Sequence, residues 1–321
     1  MYIRKIMAGA LCACLLGGTM VSCSDDLTPD NPKGYGTVSF SVNLEAKPGT
    51  RAASDYVLKV TKVDYGVYDE SGNLLIEDKA TVTDNSAAIE LKLVPGKTYD
   101  IVFFAKNSNE KNIGLLSPDW EAHTLTVDYS NMNGGSGMSD YCANNDFFHA
   151  VVNGYEGGSS TQETVTLTRP TAQINIGSND LKADAVQHVY STIYTSISTK
   201  AYSKLNLITG DVEEEVEINL PYKRVYKSGA NNMGTFPITG YEYASTLYVL
   251  VPKTQTLVDV TFNVANSKSA TTPMQSVEIP NAPVQRNYRT NIYGSLLTDP
   301  TNWKISLKSS MLAAKIYGSA M

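Results

Sequence analysis

The chain has few of the side chains from which catalytic and metal sites are usually assembled, with three histidines and four cysteines in 321 residues. His123, His149 and His188 have no partner at HxxxH spacing and there is no CxxC pair, so no zinc site is expected. Basic tracts are missing too. With a net charge of −6 and no Lys/Arg cluster, nucleic acid is excluded as a partner. Gly134-Gly135-Ser136-Gly137 and Gly34-Tyr35-Gly36 lack the strand before and the helix after that make a phosphate loop. Cys142, Asp146 and His149 lie close in sequence, but spacing alone supplies neither an oriented base nor a lowered thiol pKa. Glu213-Glu214-Glu215 lacks the alternating oxygen ligands of a calcium loop and reads as a solvated hairpin. The expectation is a protein without catalytic residues, cofactor or metal. No long amphipathic helix is patterned, and residues 181–190 allow one or two helical turns at most.

The one long apolar run lies at the start. Arg4 and Lys5 precede an uncharged stretch over residues 6–20, which has the length of a signal h-region and is too short to span a bilayer. It ends in Met20-Val21-Ser22-Cys23, which resembles the bacterial lipobox. Residues 1–22 are therefore expected to be a lipoprotein signal peptide, and Cys23 the site of acylation that binds outer-membrane lipid. Each acyl methylene buried contributes about 0.8 kcal/mol to such anchoring. Ser24-Asp25-Asp26 resembles a surface-export tag, and residues 23–36 read as a Pro/Gly-containing linker. Cys12 and Cys14 would leave with the signal and Cys23 would be acylated, so Cys142 alone remains and no intrachain disulfide is expected.

Period-two alternation dominates the rest, the mark of strands with one buried face. Val38, Phe40, Val42 and Leu44 share one side of residues 37–45. Val63, Tyr65 and Val67 repeat the pattern, and Asp69-Glu70-Ser71-Gly72-Asn73 turns the chain into Leu74-Leu75-Ile76. Ile89, Leu91 and Leu93, then Pro95-Gly96, then Tyr99, Ile101, Phe103 and Ala105 form a further strand, turn and strand. Residues 128–160 read as a long irregular insertion with Phe147-Phe148 tucked onto the sandwich. Strands resume at Val165 and Leu167, and Arg169-Pro170 marks a break before Ala172, Ile174 and Ile176. Alternation returns over residues 190–197, 247–251, 258–264 and 288–296, and last in Trp303, Ile305, Leu307 and Met311. The expected fold is all-β, with two tandem antiparallel sandwiches over residues 37–167 and 168–321.

Several stretches resemble the fimbrillins, subunits of the type V pili of Bacteroides-type bacteria. They are Leu93-Val94-Pro95-Gly96-Lys97-Thr98-Tyr99-Asp100-Ile101-Val102-Phe103-Phe104-Ala105, Leu167-Thr168-Arg169-Pro170-Thr171-Ala172-Gln173-Ile174, Leu205-Asn206-Leu207-Ile208-Thr209-Gly210, and Asn287-Tyr288-Arg289-Thr290-Asn291-Ile292-Tyr293-Gly294-Ser295-Leu296-Leu297-Thr298. The resemblance implies two transthyretin-like domains in tandem and a surface pilus subunit serving adhesion. It also implies cleavage by an Arg-specific protease between Arg51 and Ala52, in the loop Lys47-Pro48-Gly49-Thr50-Arg51-Ala52-Ala53-Ser54. Cleavage would release the first strand, with Val38, Phe40, Val42 and Leu44, and open a groove for a strand from another pilus subunit, in a homo- or heteropolymer. The donor candidates are Trp303, Ile305, Leu307 and Met311, whose bland alternative is a last strand completing its own domain. Two rival functions stand beside this one: a pilus anchor that keeps its lipid, and a surface glycan-binding lipoprotein that uses some of the twenty tyrosines as a sugar platform. A host protein or glycan is the candidate further partner.

Overall fold

The computed structural model describes residues 36–44, 60–106, 116, 118–129, 146–158, 161–180, 193–225 and 236–309, within one unit, Gly34–Met321. Residues 1–22, expected to be the signal peptide, and Cys23, Arg51, Ala52, Cys142, His188, residues 181–190 and Met311 lie outside the described residues. Every regular element described is a strand, and no helix among the described residues is long and apolar enough to cross a membrane.

Nine strands precede the Arg169-Pro170 break: β1 (Gly36–Leu44), β2 (Lys62–Asp69), β3 (Leu74–Thr81), β4 (Ser86–Leu93), β5 (Thr98–Lys106), β6 (Pro118–Asp119), β7 (Thr124–Thr126), β8 (Phe147–Glu156) and β9 (Gln162–Leu167). Nine follow: β10 (Thr171–Ser178), β11 (Ile193–Asn206), β12 (Val212–Asn219), β13 (Lys223–Val225), β14 (Glu242–Leu250), β15 (Thr256–Ala265), β16 (Gln275–Val284), β17 (Tyr288–Gly294) and β18 (Trp303–Ser309). In the first sandwich, sheet β4-β1-β9 packs on sheet β3-β2-β5-β8. The second repeats the plan: β14-β10-β17 packs on β12-β11-β15-β16, with β18 added at the β17 edge. In both, the opening strand runs antiparallel to one neighbour (β4 or β14) and parallel to the other (β9 or β17). The fold is two tandem transthyretin-like sandwiches.

Alternation located most of the strands, the doubly buried β10 and β14 among them, and missed β8. Residues 147–156, expected to be irregular, form β8, paired with β5 from Thr98↔Glu156 to Lys106↔Phe147. Phe147 and Phe148 point to opposite faces of that strand and both are buried, so no period-two signal arises. Strands β6, β7, β13 and β16 had no reading in the sequence. The first two are only two and three residues long, below the length at which a period can register.

The sandwiches are fused rather than strung together. A separate apolar cluster joins Tyr68, Val102, Phe104, Trp120, Leu125 and Phe147 of the first half to Leu205, Leu207 and Leu250 of the second. Strand β7 pairs with β11 from Lys204↔Thr126 to Asn206↔Thr124, extending a sheet of the second sandwich with chain from the first. The Arg169 guanidinium, beside the connection between the halves, holds the buried Asp146 carboxylate through Nε (2.5 Å) and Nη2 (2.9 Å) and lies 4.5 Å from the centre of the Phe148 ring. Such a buried pair is costly to break from one side, by about 3–5 kcal/mol. His149 Nε2 donates to the Leu207 carbonyl at 2.8 Å, which fixes the neutral tautomer.

Burial, reinforced by the nearby Arg286 and Lys253 charges, pushes the His149 pKa down to about 4, with the Leu207 bond opposing. The imidazole therefore stays neutral in the fold, whereas the unfolded chain protonates near pH 6.5. Both states are neutral above that value, so the fold loses stability as pH falls from about 6.5 towards 4. The expected loss at pH 4 is on the order of 3 kcal/mol. Urea denaturation at stepped pH should show this slope in the native chain. It should be flattened in His149→Gln, whose amide keeps a donor for Leu207.

Candidate functional site

The first strand and the groove that holds it form the candidate site. Alternating apolar and polar residues give β1 a one-sided burial: Val38, Phe40, Val42 and Leu44 are 1, 1, 0 and 6% exposed, while Ser39, Ser41 and Asn43 are half-buried on the other face. The strand lies between β4, antiparallel from Gly36↔Leu93 to Asn43↔Ser86, and β9, parallel from Ser39↔Gln162 to Leu44↔Leu167. Neither β4 nor β9 pairs with any other described strand, so β1 alone makes these three strands a sheet. Phe40 is the largest of the four, its ring 5.5 Å from Phe103 and 5.6 Å from Tyr155. At the entry end Gly36 lies against Gly158, where an added Cβ would come within 2.6 Å of the Gly158 Cα. Beside the exit end, Asp84 and Asn85 adopt positive φ, a conformation their side chains tolerate, and the Asn85 carbonyl accepts from the Leu44 amide.

The donor candidates lie in the other sandwich. Trp303, Ile305 and Leu307 sit on β18, paired with β17 from Tyr288↔Ser309 to Gly294↔Trp303. All three are half-buried, and Trp303 and Ile305 pack against the second core. Lys304 and Lys308 are exposed on the opposite face. This strand lies at one end of its sheet path, as β16 does at the other. Just before it the chain is pinned: the Leu297 and Thr298 amides and the Thr298 hydroxyl all donate to Asp180 Oδ2, at 3.0, 2.8 and 2.9 Å. Sequence reasoning missed Asp180 as that pin, and missed Phe103 and Tyr155 as the walls of the Phe40 pocket. A lone Asp after a strand carries no signal of a partner more than a hundred positions away.

The remaining polar candidates are occupied structurally. Asp146 belongs to Arg169 and His149 to the Leu207 carbonyl, so neither is aimed at the other. In β12, Glu214 and Glu215 pair with Lys204 and Lys200 at the surface. Every described Phe, Tyr and Trp is buried or half-buried, so the described surface carries no row of fully exposed rings for a sugar to stack on.

Residues 30–312 match the model of a family of unknown function, DUF6562. The chain belongs to that family. Among solved structures, this DUF6562 protein is similar to a candidate adhesin from Bacteroides thetaiotaomicron, with TM-score 0.54 and 14% identity over 90% of this chain and 100% of that one. That likeness establishes a shared fold. The tip fimbrial protein Mfa3 from Porphyromonas gingivalis, with a C-terminal truncation, aligns with TM-score 0.46 and 13% identity over 86% and 99% of the two chains. A fimbrial assembly protein from Parabacteroides distasonis aligns with TM-score 0.42 and 14% identity over 86% and 96%. No curated protein matches the chain.

The one-sided burial of β1 gives a direct test of its structural weight. Phe40→Ala should lower the stability of the intact chain by about 3–5 kcal/mol, and Ser41→Ala by under about 0.5 kcal/mol. Urea midpoints of the two variants would show the contrast. Equal effects would mean that β1 does not carry the core face assigned to it.

Proposed function

We propose that this DUF6562 protein is a cell-surface fimbrial subunit that serves adhesion, is exported as an outer-membrane lipoprotein on Cys23, and assembles by strand exchange. In this reading residues 37–167 are the acceptor domain and residues 168–321 the domain that carries the tail. An Arg-specific protease cuts after Arg51, and β1 leaves together with the lipid-bearing segment. The observation that carries the reading is the position of β1. It is one continuous strand between two strands that have no other described partner, it supplies a full row of core side chains, and it precedes the Arg51 loop in sequence. Its departure exposes apolar pockets and two unpaired strand edges, and an incoming strand restores both. The similar solved structures described as adhesin and fimbrial proteins agree with this role.

The variant in which the chain is a pilus anchor differs in one respect, since an anchor keeps both β1 and its lipid. Mass spectrometry of the surface protein separates the two. A mature N-terminus at Ala52 is expected for the polymerising subunit, whereas an intact acylated Cys23 in assembled fibres contradicts it. Arg51→Ala should trap a monomeric, membrane-bound form, and unchanged assembly of that variant would remove the processing step from the account.

A further inference from the structure

We infer that the outer face of β10, β17 and β18 is a binding site for an acidic sugar, with Arg289 receiving the carboxylate. The inference does not rest on strand exchange. The register lays out three rows across these strands. Gln173, Arg289 and Lys308 form one, Asn175, Asn291 and Ser306 the second, and Gly177, Tyr293 and Lys304 the third. Alternation sets the face: Ile174, Ile176 and Ile292 point into the second core, so their neighbours along each strand point out. Outward residues of a surface sheet are ordinarily wet. Here Gln173, Asn175 and Asn291 are 0% exposed and Arg289 is 8% exposed. Exposure rises toward β18, where Ser306 is half-buried and Lys304 and Lys308 are exposed, so the face opens at that edge.

Five buried polar atoms of this face have no hydrogen-bond partner: Thr171 Oγ1, Gln173 Oε1, Arg289 Nε, Asn291 Nδ2 and Ser306 Oγ. The Asn291 amide is oriented by a chain of bonds. The Thr246 hydroxyl donates to Asn175 Oδ1 at 2.8 Å, and Asn175 Nδ2 donates to Asn291 Oδ1 at 2.9 Å. The chain ends in Asn291 Nδ2, a donor left on the β18 side with no acceptor. Arg289 Nε is a second such donor, two residues away on the same strand. Burial lowers the Arg289 pKa, opposed by Tyr243 and Tyr248 and by no carboxylate. No ion pair among the described residues involves Arg289, Lys304 or Lys308. A buried cation is costly unless an anion pairs with it, and an unanswered buried donor adds to that cost. The face is suited to an anion, and the described residues supply none.

The neutral groups narrow the class of ligand. A carboxylate can accept from the Arg289 fork and Asn291 Nδ2 together, with Lys308 beside it at the rim. Gln173 Oε1 is an acceptor and meets only a donor, while Ser306 Oγ and Thr171 Oγ1 meet either. A sugar acid supplies both, because hydroxyls stand on the ring carbons near its carboxylate. An aspartate or glutamate side chain carries its carboxylate on methylenes and leaves Gln173 unanswered. The half-buried Tyr293 ring, set edge to face with Tyr241 at 5.0 Å, lies in the third row, where the apolar face of a sugar can rest. A carboxylate at the open edge meets Lys308 and Arg289 first. The inner donors have no exposed surface, so full seating takes a rotamer change of these two long side chains. Gln173, Arg289 and Asn291 sit on β10 and β17, so the central groups remain whether or not β18 stays paired.

Titration of the full chain with sodium glucuronate, glucose, acetate and a triglutamate peptide, followed by saturation-transfer NMR, tests the site. Glucuronate should bind at least about tenfold more tightly than each of the others, the worth of one hydrogen bond to a charged group. Lys308→Glu, at an exposed position, should leave the fold intact by circular dichroism and weaken glucuronate binding by a similar factor. Arg289→Met should abolish binding and hold or raise the urea midpoint, because it removes an unpaired buried charge. A lower midpoint in that variant would make Arg289 a structural group and overturn the assignment. Equal binding of glucose and glucuronate would remove the carboxylate from recognition, and binding retained in Arg289→Met would put the sugar elsewhere; either overturns the inference. Triglutamate or acetate binding as tightly as glucuronate would make the face a general carboxylate site and overturn the sugar. Failure of all four to bind would overturn the site altogether.

Discussion

The insertion of β1 between β4 and β9 is the constraint on which the rest of the molecule depends. A β-sandwich needs both faces of its core and every internal strand edge satisfied. In the first sandwich one nine-residue strand does both, with Val38, Phe40, Val42 and Leu44 inward and two ladders sideways. The core it closes includes Val63, Tyr65 and Val67 of β2 and Ile101 and Phe103 of β5, so the whole half depends on it. A fold arranged in this way is complete with the strand and incomplete without it, which is the property that strand-by-strand assembly requires.

The two sandwiches differ in how their opening strands are buried, and on the proposed function only the first could release its own. Strand β10 holds the same topological place as β1, yet all eight of its residues are buried, on both faces. Its outer face carries Gln173 and Asn175 in a buried polar layer with Thr246 and Asn291. Removing β10 would strip two layers at once. The fused joint adds to this, because the Asp146–Arg169 pair anchors the chain just before β10. Strand β1 has one wet face, Ser39, Ser41 and Asn43, and so only one layer to lose.

Legibility in the sequence depended on how cleanly apolar residues alternate along each strand. One-sided strands such as β1 and β4 alternate and could be read directly, down to which residues face the core. The start of β8 shows no period, since adjacent Phe147 and Phe148 are both buried, and they looked like residues of an irregular insertion tucked onto the sandwich. Of the candidate site, the inward row of β1 and the row of β18 were both visible in the sequence. The joint and the pin before β18 were invisible, because His149 with Leu207 and Asp180 with Thr298 are contacts across 58 and 118 positions that no local pattern encodes.

Amide hydrogen exchange of β4 and β9 in assembled fibres, compared with the intact monomer, tests the central claim most directly. The account predicts that residues 36–44 are absent from the fibre while both strands keep monomer-like protection, because another strand holds their hydrogen bonds. Retention of residues 36–44 in the fibre, or loss of protection in β4 and β9 after they leave, would contradict it.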